Sequence, residues 1–265
     1  MKEEKNKRIG VIDSGLGGLT VARELERILP QESVVYFGDN ANCPYGNRPK
    51  EEILELTIAM LDFLQKKDIK IAAIACNTIS TLVEQLRERY EFPIVSIIEE
   101  ACGYAAGQEL PQVGVFATEF TIKQGAYEKL LKKLRPSIQV YGQSSRTLAA
   151  MVDEGRFNDT AVKEEINALL AALLQAHPEL KHIILGCTHY PIVQDLFEEA
   201  APGISFINPA QVQAKALAAL LSERGLLTDA AAPHLDIFTS GGKSQYEAAI
   251  KKLEIKRSLT VSIIK

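Results

Sequence analysis

The chain lacks an excess of positive charge, closely spaced cysteine pairs, an apolar run long enough to span a bilayer, and any low-complexity tract. Each absence removes a class of function. With 30 Lys and Arg against 34 Asp and Glu, the net charge is −4. That leaves no basic footprint of the kind that recruits nucleic acid or an anionic membrane, so neither is expected as a main partner. The longest apolar stretches, such as INALLAALLQA (166–176), fall short of the roughly 20 residues that a membrane-spanning helix needs. The opening MKEEKNKR runs straight into the strand-like IGVID, leaving no apolar region for a signal peptide, and a cytoplasmic protein is expected. The four cysteines, at 43, 76, 102 and 187, contain no C-x-x-C. In a reducing compartment such cysteines stay free, so packing or catalysis has to account for them.

What the chain does contain is an alternation of short β-rich apolar runs with longer amphipathic stretches. IGVID (9–13), SVVYFGD (33–39), IKIAAIAC (69–76), FPIVSII (92–98), QVGVFAT (112–118), SIQVYG (137–142), HIILGC (182–187), ISFIN (204–208), LDIFTS (235–240) and LTVSII (259–264) read as strands. The segments between them read as helices, including one from about Thr121 to Leu134 and one through QAKALAALLSERG. Apolar strands alternating with helices imply an α/β fold with mostly parallel sheets covered by helices. No Pro/Ser-rich linker interrupts the pattern, so any domain boundary falls in a short connection.

One layout occurs twice. IAAIACNTIS (71–80) and HIILGCTHYP (182–191) each place an apolar strand, a small residue and a cysteine before polar residues and a helix. Their separation is far beyond a solenoid period but suits two similar lobes. In open parallel sheets, ligands bind beyond the carboxyl ends of the strands, and both Cys76 and Cys187 fall at such ends. A following helix offers unsatisfied N–H groups that favour thiolate, whereas burial favours thiol. Either cysteine alone is more readily explained as a packing residue; the matched pair is not. Asp13 ends the first strand and His189 follows Cys187 by two residues, so both are titratable groups available to tune a thiol. Asp13 could equally serve as a helix N-cap, and His189 could be bonded to backbone.

Other motifs are weaker. DSGLGGLT (13–20) is a glycine-rich turn entering a helix, a geometry that suits anions, but Thr20 stands where the dinucleotide fingerprint needs its third glycine. GGKS (241–244) is not a phosphate loop, because Ile237 occupies the position of the first glycine. NDT (158–160) matches a glycosylation acceptor only by chance in a cytosolic chain. Cys187 and His189 lack the second close pair that a structural zinc site requires, so no metal is expected. A Cys/His hydrolase would need one nucleophilic cysteine and leaves the second without a task. Two apposed thiols suit removal of a proton α to a carboxylate and its return on the opposite face, one residue acting as thiolate and the other as thiol.

The motifs GVIDSGLGGLTV, GDNANCPYGNRP, ACNTIS, GVFATEFTIKQGAY and GCTHYP stand in the order and spacing of a known family. The chain resembles the cofactor-independent glutamate racemases of bacterial cell-wall synthesis over nearly its whole length. The resemblance implies two pseudo-twofold-related α/β lobes with the active site between them. Residues 1–98, completed by 208–265, would form the first lobe, and residues 99–207 the second. It makes Cys76 and Cys187 the two acid/bases, with Asp13 supporting Cys76 and His189 supporting Cys187. Ser14, Asn77, Thr78 and Thr188 would hold the amino and α-carboxylate groups. Backbone donors of Tyr45 and Gly46 would meet the side-chain carboxylate, with Thr118 contributing from the second lobe. The substrate implied is glutamate, with aspartate or another amino acid, or a catalytically silent glutamate binder, as the alternatives. No cofactor is implied, and because family members are often dimers, a homodimer is. The chain departs from the family's usual residues at Glu100, across 141–155 where a Cys-Pro is absent, at Asn208-Pro209, and at Gly242-Lys243. None of these departures removes a proposed catalytic residue.

Overall fold

The computed structural model describes residues 2–229 and 232–264. Ten strands run in chain order: β1 (Arg8–Asp13), β2 (Val34–Gly38), β3 (Ile69–Ile74), β4 (Ile94–Ser96), β5 (Gln112–Thr118), β6 (Gln139–Ser145), β7 (His182–Gly186), β8 (Ser205–Ile207), β9 (Leu235–Thr239) and β10 (Leu259–Ile263). They form two sheets, one of order β10-β9-β2-β1-β3-β4 and one of order β6-β5-β7-β8. All neighbours pair in parallel. This is the expected α/β class.

The run β2-β1-β3-β4 in the first sheet and the run β6-β5-β7-β8 in the second have the same connectivity. The strand second in each run (β1 and β5) comes first in sequence; the next strand pairs on one side of it and the one after on its other side. The equivalence puts Asp13, ending β1, opposite Thr118, ending β5. It likewise puts Cys76, just past β3, opposite Cys187, just past β7.

The strands form where side chains can be buried on both faces. β2 and β3 are buried along their whole length, and β1 and β7 are buried after their first residue, which is why they read as nearly unbroken apolar runs. Along β1, Ile9 and Val11 face a core shared with Val113, Val115, Ile183 and Ile184 of the second sheet. Ile12 points the other way, into a cluster with Val35, Ile53, Leu61 and Ile74. This large shared core takes in helices Leu19–Ile28, Ile97–Gly107 and Pro209–Glu223, the last of which packs on the other two, and continues around the second sheet. The last of these begins where its sequence says it should: Asn208 accepts a bond from the Ala210 N–H at 3.0 Å and Pro209 occupies the first turn, a cap worth about 1 kcal/mol. Asparagine is among the best capping residues, so the departure noted at Asn208-Pro209 leaves the helix start intact.

Three helical expectations need correction. The segment 121–134 is not one helix but two, Glu119–Gln124 and Ala126–Leu134, hinged at Gly125 in the left-handed conformation (φ 64°). The helix expected after Cys76 is a single turn, Asn77–Ser80, followed by a short helix Val83–Arg87. The segment after Cys187 starts as a 3-10 turn, Tyr190–Val193, with Pro191 in its first turn. Neither cysteine therefore faces a long helix. No helix of the described residues is long and apolar enough to cross a membrane.

Candidate active site

The carboxyl ends of the two sheets meet around a small, tight cavity of about 20 Å³, lined by Ser14, Tyr45, Gly46, Cys76, Asn77, Thr78, Thr118, Cys187, Thr188 and His189, together with Cys43, Pro44 and Ala149. All the sequence-selected residues except Asp13 are on its wall. Asp13 is fully buried directly behind it. Both cysteines are free and retain only 5% exposure.

The two thiols have different neighbours. Cys76 Sγ lies 3.4 Å from Ser14 Oγ. Burial is the main influence on it, reinforced by the negative charge of Asp13, and pushes the thiol up to about 12. Of the two opposed effects expected from sequence, burial wins at Cys76, since one helical turn supplies little dipole. Cys187 Sγ lies 3.7 Å from His189 Nδ1, and His189 Nε2 donates to Asp153 Oδ1 at 2.8 Å. Burial works against an imidazolium, yet the bonds to Asp153 and Cys187 outweigh it and hold His189 protonated well above the ordinary histidine range. Asp153 is kept below the usual carboxylate range despite its own burial, by His189 and by bonds from Leu16 N–H and Asn40. Cys187 thus has a cation beside it, and Cys76 has a carboxylate near it.

Asp13 is no helix cap. Its Oδ1 accepts from Gly15 N–H at 2.9 Å and its Oδ2 from Thr188 Oγ1 at 3.0 Å. Burial lifts its carboxyl to about 6, against the charge of His189 and these two bonds. The Thr188 bond crosses from one sheet to the other. Two more crossings flank it: Tyr127 OH donates to Asn77 Oδ1 at 2.6 Å, and Thr78 Oγ1 lies 3.2 Å from Thr118 Oγ1. Thr121 joins the hydroxyl cluster 3.0 Å from Thr118.

The far wall is the loop after β2. Tyr45 and Gly46 open a 3-10 turn, Tyr45–Asn47, preceded by Pro44, and the Cys43–Pro44 bond is cis. Their N–H groups lie at the end of the turn that has no internal partners. The Tyr45 side chain is turned inward, donating to Asp39 Oδ2 at 2.6 Å. Asp39 also accepts from Asn42 and from Ser240 at the end of β9, which ties the loop to the C-terminal strands. Asn77 and Thr78 likewise begin a helical turn. The cavity is therefore bordered by two clusters of outward donors, one beside the thiols and one beside Tyr45. Two such donor clusters match in chemistry the two carboxylates of an acidic amino acid. Among the described residues no three His, Cys, Asp or Glu side chains converge so as to hold a metal ion.

Sequence reasoning missed Asp153, Asn40, Thr121, Tyr127 and Cys43 as members of the site. Asp153 ends the short helix Leu148–Asp153 within a stretch noted only for what it lacked. A lone acid beside a second one, Glu154, carries no local signal. Tyr127, Thr121, Asn40 and Cys43 all sat inside motifs already singled out, but nothing in their spacing revealed which way they point.

The model of the Asp/Glu/hydantoin racemase family matches residues 9–217. A glutamate racemase from Oceanobacillus iheyensis is 38% identical over 219 residues, covering 82% of this chain and 80% of that protein. Among solved structures, a glutamate racemase from Francisella tularensis in complex with D-glutamate aligns with a TM-score of 0.88 at 30% identity, over 98% of each chain. The isoform RacE1 from Bacillus anthracis, also a glutamate racemase, aligns with a TM-score of 0.89 at 34% identity, over 97% of this chain and 98% of that one.

Proposed function

The chain belongs to the Asp/Glu/hydantoin racemase family, and from that membership we propose that it interconverts L- and D-glutamate by a two-base mechanism using Cys76 and Cys187. One observation carries the reading: two thiols from equivalent ends of two sheets line one small cavity. Each has a different group to trade a proton with. Removal of the α-proton from one face and its return on the other needs a base and an acid on opposite sides of one carbon.

In this mechanism Cys187, with the His189 cation beside it, acts as the first base. Cys76, pushed up to about 12, stands as the thiol. For one enantiomer, Cys187 takes the α-proton and Cys76 delivers its own to the opposite face. For the other enantiomer the roles reverse, and Asp13, whose carboxyl lies near 6, can hold the proton that Cys76 must lose. Thr188 connects Asp13 to the Cys187 turn, so the two halves share a proton balance. Carbanion character at Cα is stabilised by donors on the α-carboxylate from Ser14, Asn77, Thr78 and Thr188. The backbone N–H groups of Tyr45 and Gly46, with Thr118 beside them, receive the side-chain carboxylate.

The same reading divides the chain into a lobe of residues 1–98 with 208–265 and a lobe of 99–207. The change of sheet between β4 and β5, and back between β8 and β9, supports it. It assigns the product to D-glutamate supply for peptidoglycan in the cytoplasm, a role supported by the resemblance of the motifs. The distance from the thiols to the Tyr45 turn sets the length of acid accepted. Racemisation assays with glutamate, aspartate and a neutral amino acid test the substrate: glutamate turnover far above the others is the expected result. Preferred turnover of aspartate would transfer the chemistry to the shorter acid. Tight glutamate binding without turnover would make the chain a silent binder.

A further inference from the structure

Asn77 presents an unusual pair of facts. Its side chain is 2% exposed and lines the cavity, and its Nδ2 is buried with no hydrogen-bond partner. Its Oδ1 is taken by the Tyr127 hydroxyl at 2.6 Å. An amide can present either end, but a phenol has a single hydrogen to give. With Asn77 as its partner, Tyr127 satisfies that hydrogen only when Oδ1 faces it, which turns the NH2 group toward the cavity. Burial holds the Tyr127 phenol well above its ordinary range, so it remains a donor throughout the working pH range. The ring reaches this position by passing against Gly186, where a Cβ would come within 3.1 Å of it and within 2.9 Å of the Phe116 carbonyl. Tyr127 therefore runs from beside one cysteine turn to the residue that follows the other.

We infer that Tyr127 is a positioning residue that fixes the Asn77 amide with its NH2 group toward the substrate α-carboxylate. The unpartnered Nδ2 is the donor held ready, and a carboxylate is the acceptor that matches it. Because both enantiomers share that carboxylate, loss of the hydroxyl affects both alike. The inference rests on the glutamate-racemase reading and adds to it the residue that sets donor orientation.

The test is a double-mutant cycle on the full chain with Tyr127→Phe, Asn77→Ala and the pair, read as KM and kcat for L- and D-glutamate. Tyr127→Phe is expected to raise KM about tenfold for both enantiomers, the loss of one charge-assisted bond, with kcat changed much less. In the Asn77→Ala background the same change is expected to add less than about twofold, since the group it positions is gone. A full, multiplicative effect in that background, or an unchanged KM in Tyr127→Phe, would overturn the inference. Asn77→Asp gives an independent check should Tyr127→Phe fold poorly. With Tyr127 donating to one oxygen, the other opposes the substrate carboxylate, and KM is expected to rise about a hundredfold or more; a KM near that of the unmutated protein would overturn the inference. Absence of glutamate turnover and binding in the unmutated protein would instead remove the underlying reading, and the inference with it.

Discussion

A carboxyl group held fully buried at about 6 destabilises the fold whenever it is charged. Asp13 has its pKa raised from 3.8, so its contribution is neutral below about pH 4. Folded stability is then lost as pH rises through 6, to a limit of about 3 kcal/mol for a shift of this size. Asp13→Asn keeps the acceptor for Gly15 and removes the charge. It is expected to raise the melting temperature at pH 8, with the gain vanishing at pH 4, while sharply reducing racemisation. Calorimetry at the two pH values checks the sign. The His189–Asp153 pair runs the other way. His189 is raised from 6.5 and Asp153 lowered from 3.8, so the pair stabilises fully between those values. Its contribution fades above 6.5, as pH approaches the folded value of His189, and below 3.8, toward that of Asp153. Asp153→Asn is expected to lower kcat by about ten- to a hundredfold with little change in KM, and to move the alkaline limb of the kcat profile to lower pH; an unmoved limb would argue against a histidine tuned by Asp153. At this scale the sequence was a partial guide. Cys76, Cys187 and His189 stood in repeated or adjacent motifs, whereas Asp153 reaches His189 only through folding, from 36 positions away in sequence.

Among the elements, the turn between β1 and helix Leu19–Ile28 shows why a glycine-rich segment sits beside the site. A Cβ on Gly17 would come within 2.4 Å of Thr188 Oγ1 and 2.8 Å of His189 Nδ1. The first-sheet turn and the Cys187 turn are thus in direct contact there, and the glycine is needed for close approach rather than for an anion. Gly17→Ala is expected to cost about 1–3 kcal/mol through overpacking and to reduce kcat more than a substitution on the exposed face of helix Ala126–Leu134, such as Lys133→Ala. Equal effects on kcat at the two positions would contradict the contact. Strands were legible from sequence because burial on both faces leaves long apolar runs. The segments after the cysteines were not, since one-turn helices have no period to detect. The break at Gly125 was missed because an amphipathic pattern continues across it, and a single left-handed residue leaves that pattern unchanged.

For the molecule as a whole, one core joins the two sheets, and bonded pairs such as Asp13 with Thr188, Asn77 with Tyr127, Thr78 with Thr118 and Asn40 with Asp153 cross between the halves that carry them. Thermal unfolding is therefore expected to be a single transition by far-ultraviolet circular dichroism and by tyrosine fluorescence, a usable probe in a chain with eight Tyr and no Trp; two separated transitions would show that the lobes unfold independently. The same joining makes the cavity a product of both sheets, with one thiol from each. Fold class and the matched cysteines could be read from the sequence because both recur along the chain, while the cross-sheet bonds depend on how the halves dock. The central claim is that Cys76 and Cys187 serve the two faces of one α-carbon. It is tested most directly by incubating L- and D-glutamate separately in deuterated water with the unmutated protein and with Cys76→Ala and Cys187→Ala, and following the α-position by mass spectrometry and chiral chromatography. The account predicts that the unmutated protein places solvent deuterium at the α-carbon of the product from either enantiomer, and that each substitution abolishes racemisation in both directions. Racemisation without solvent deuterium, or undiminished in either cysteine variant, would contradict it.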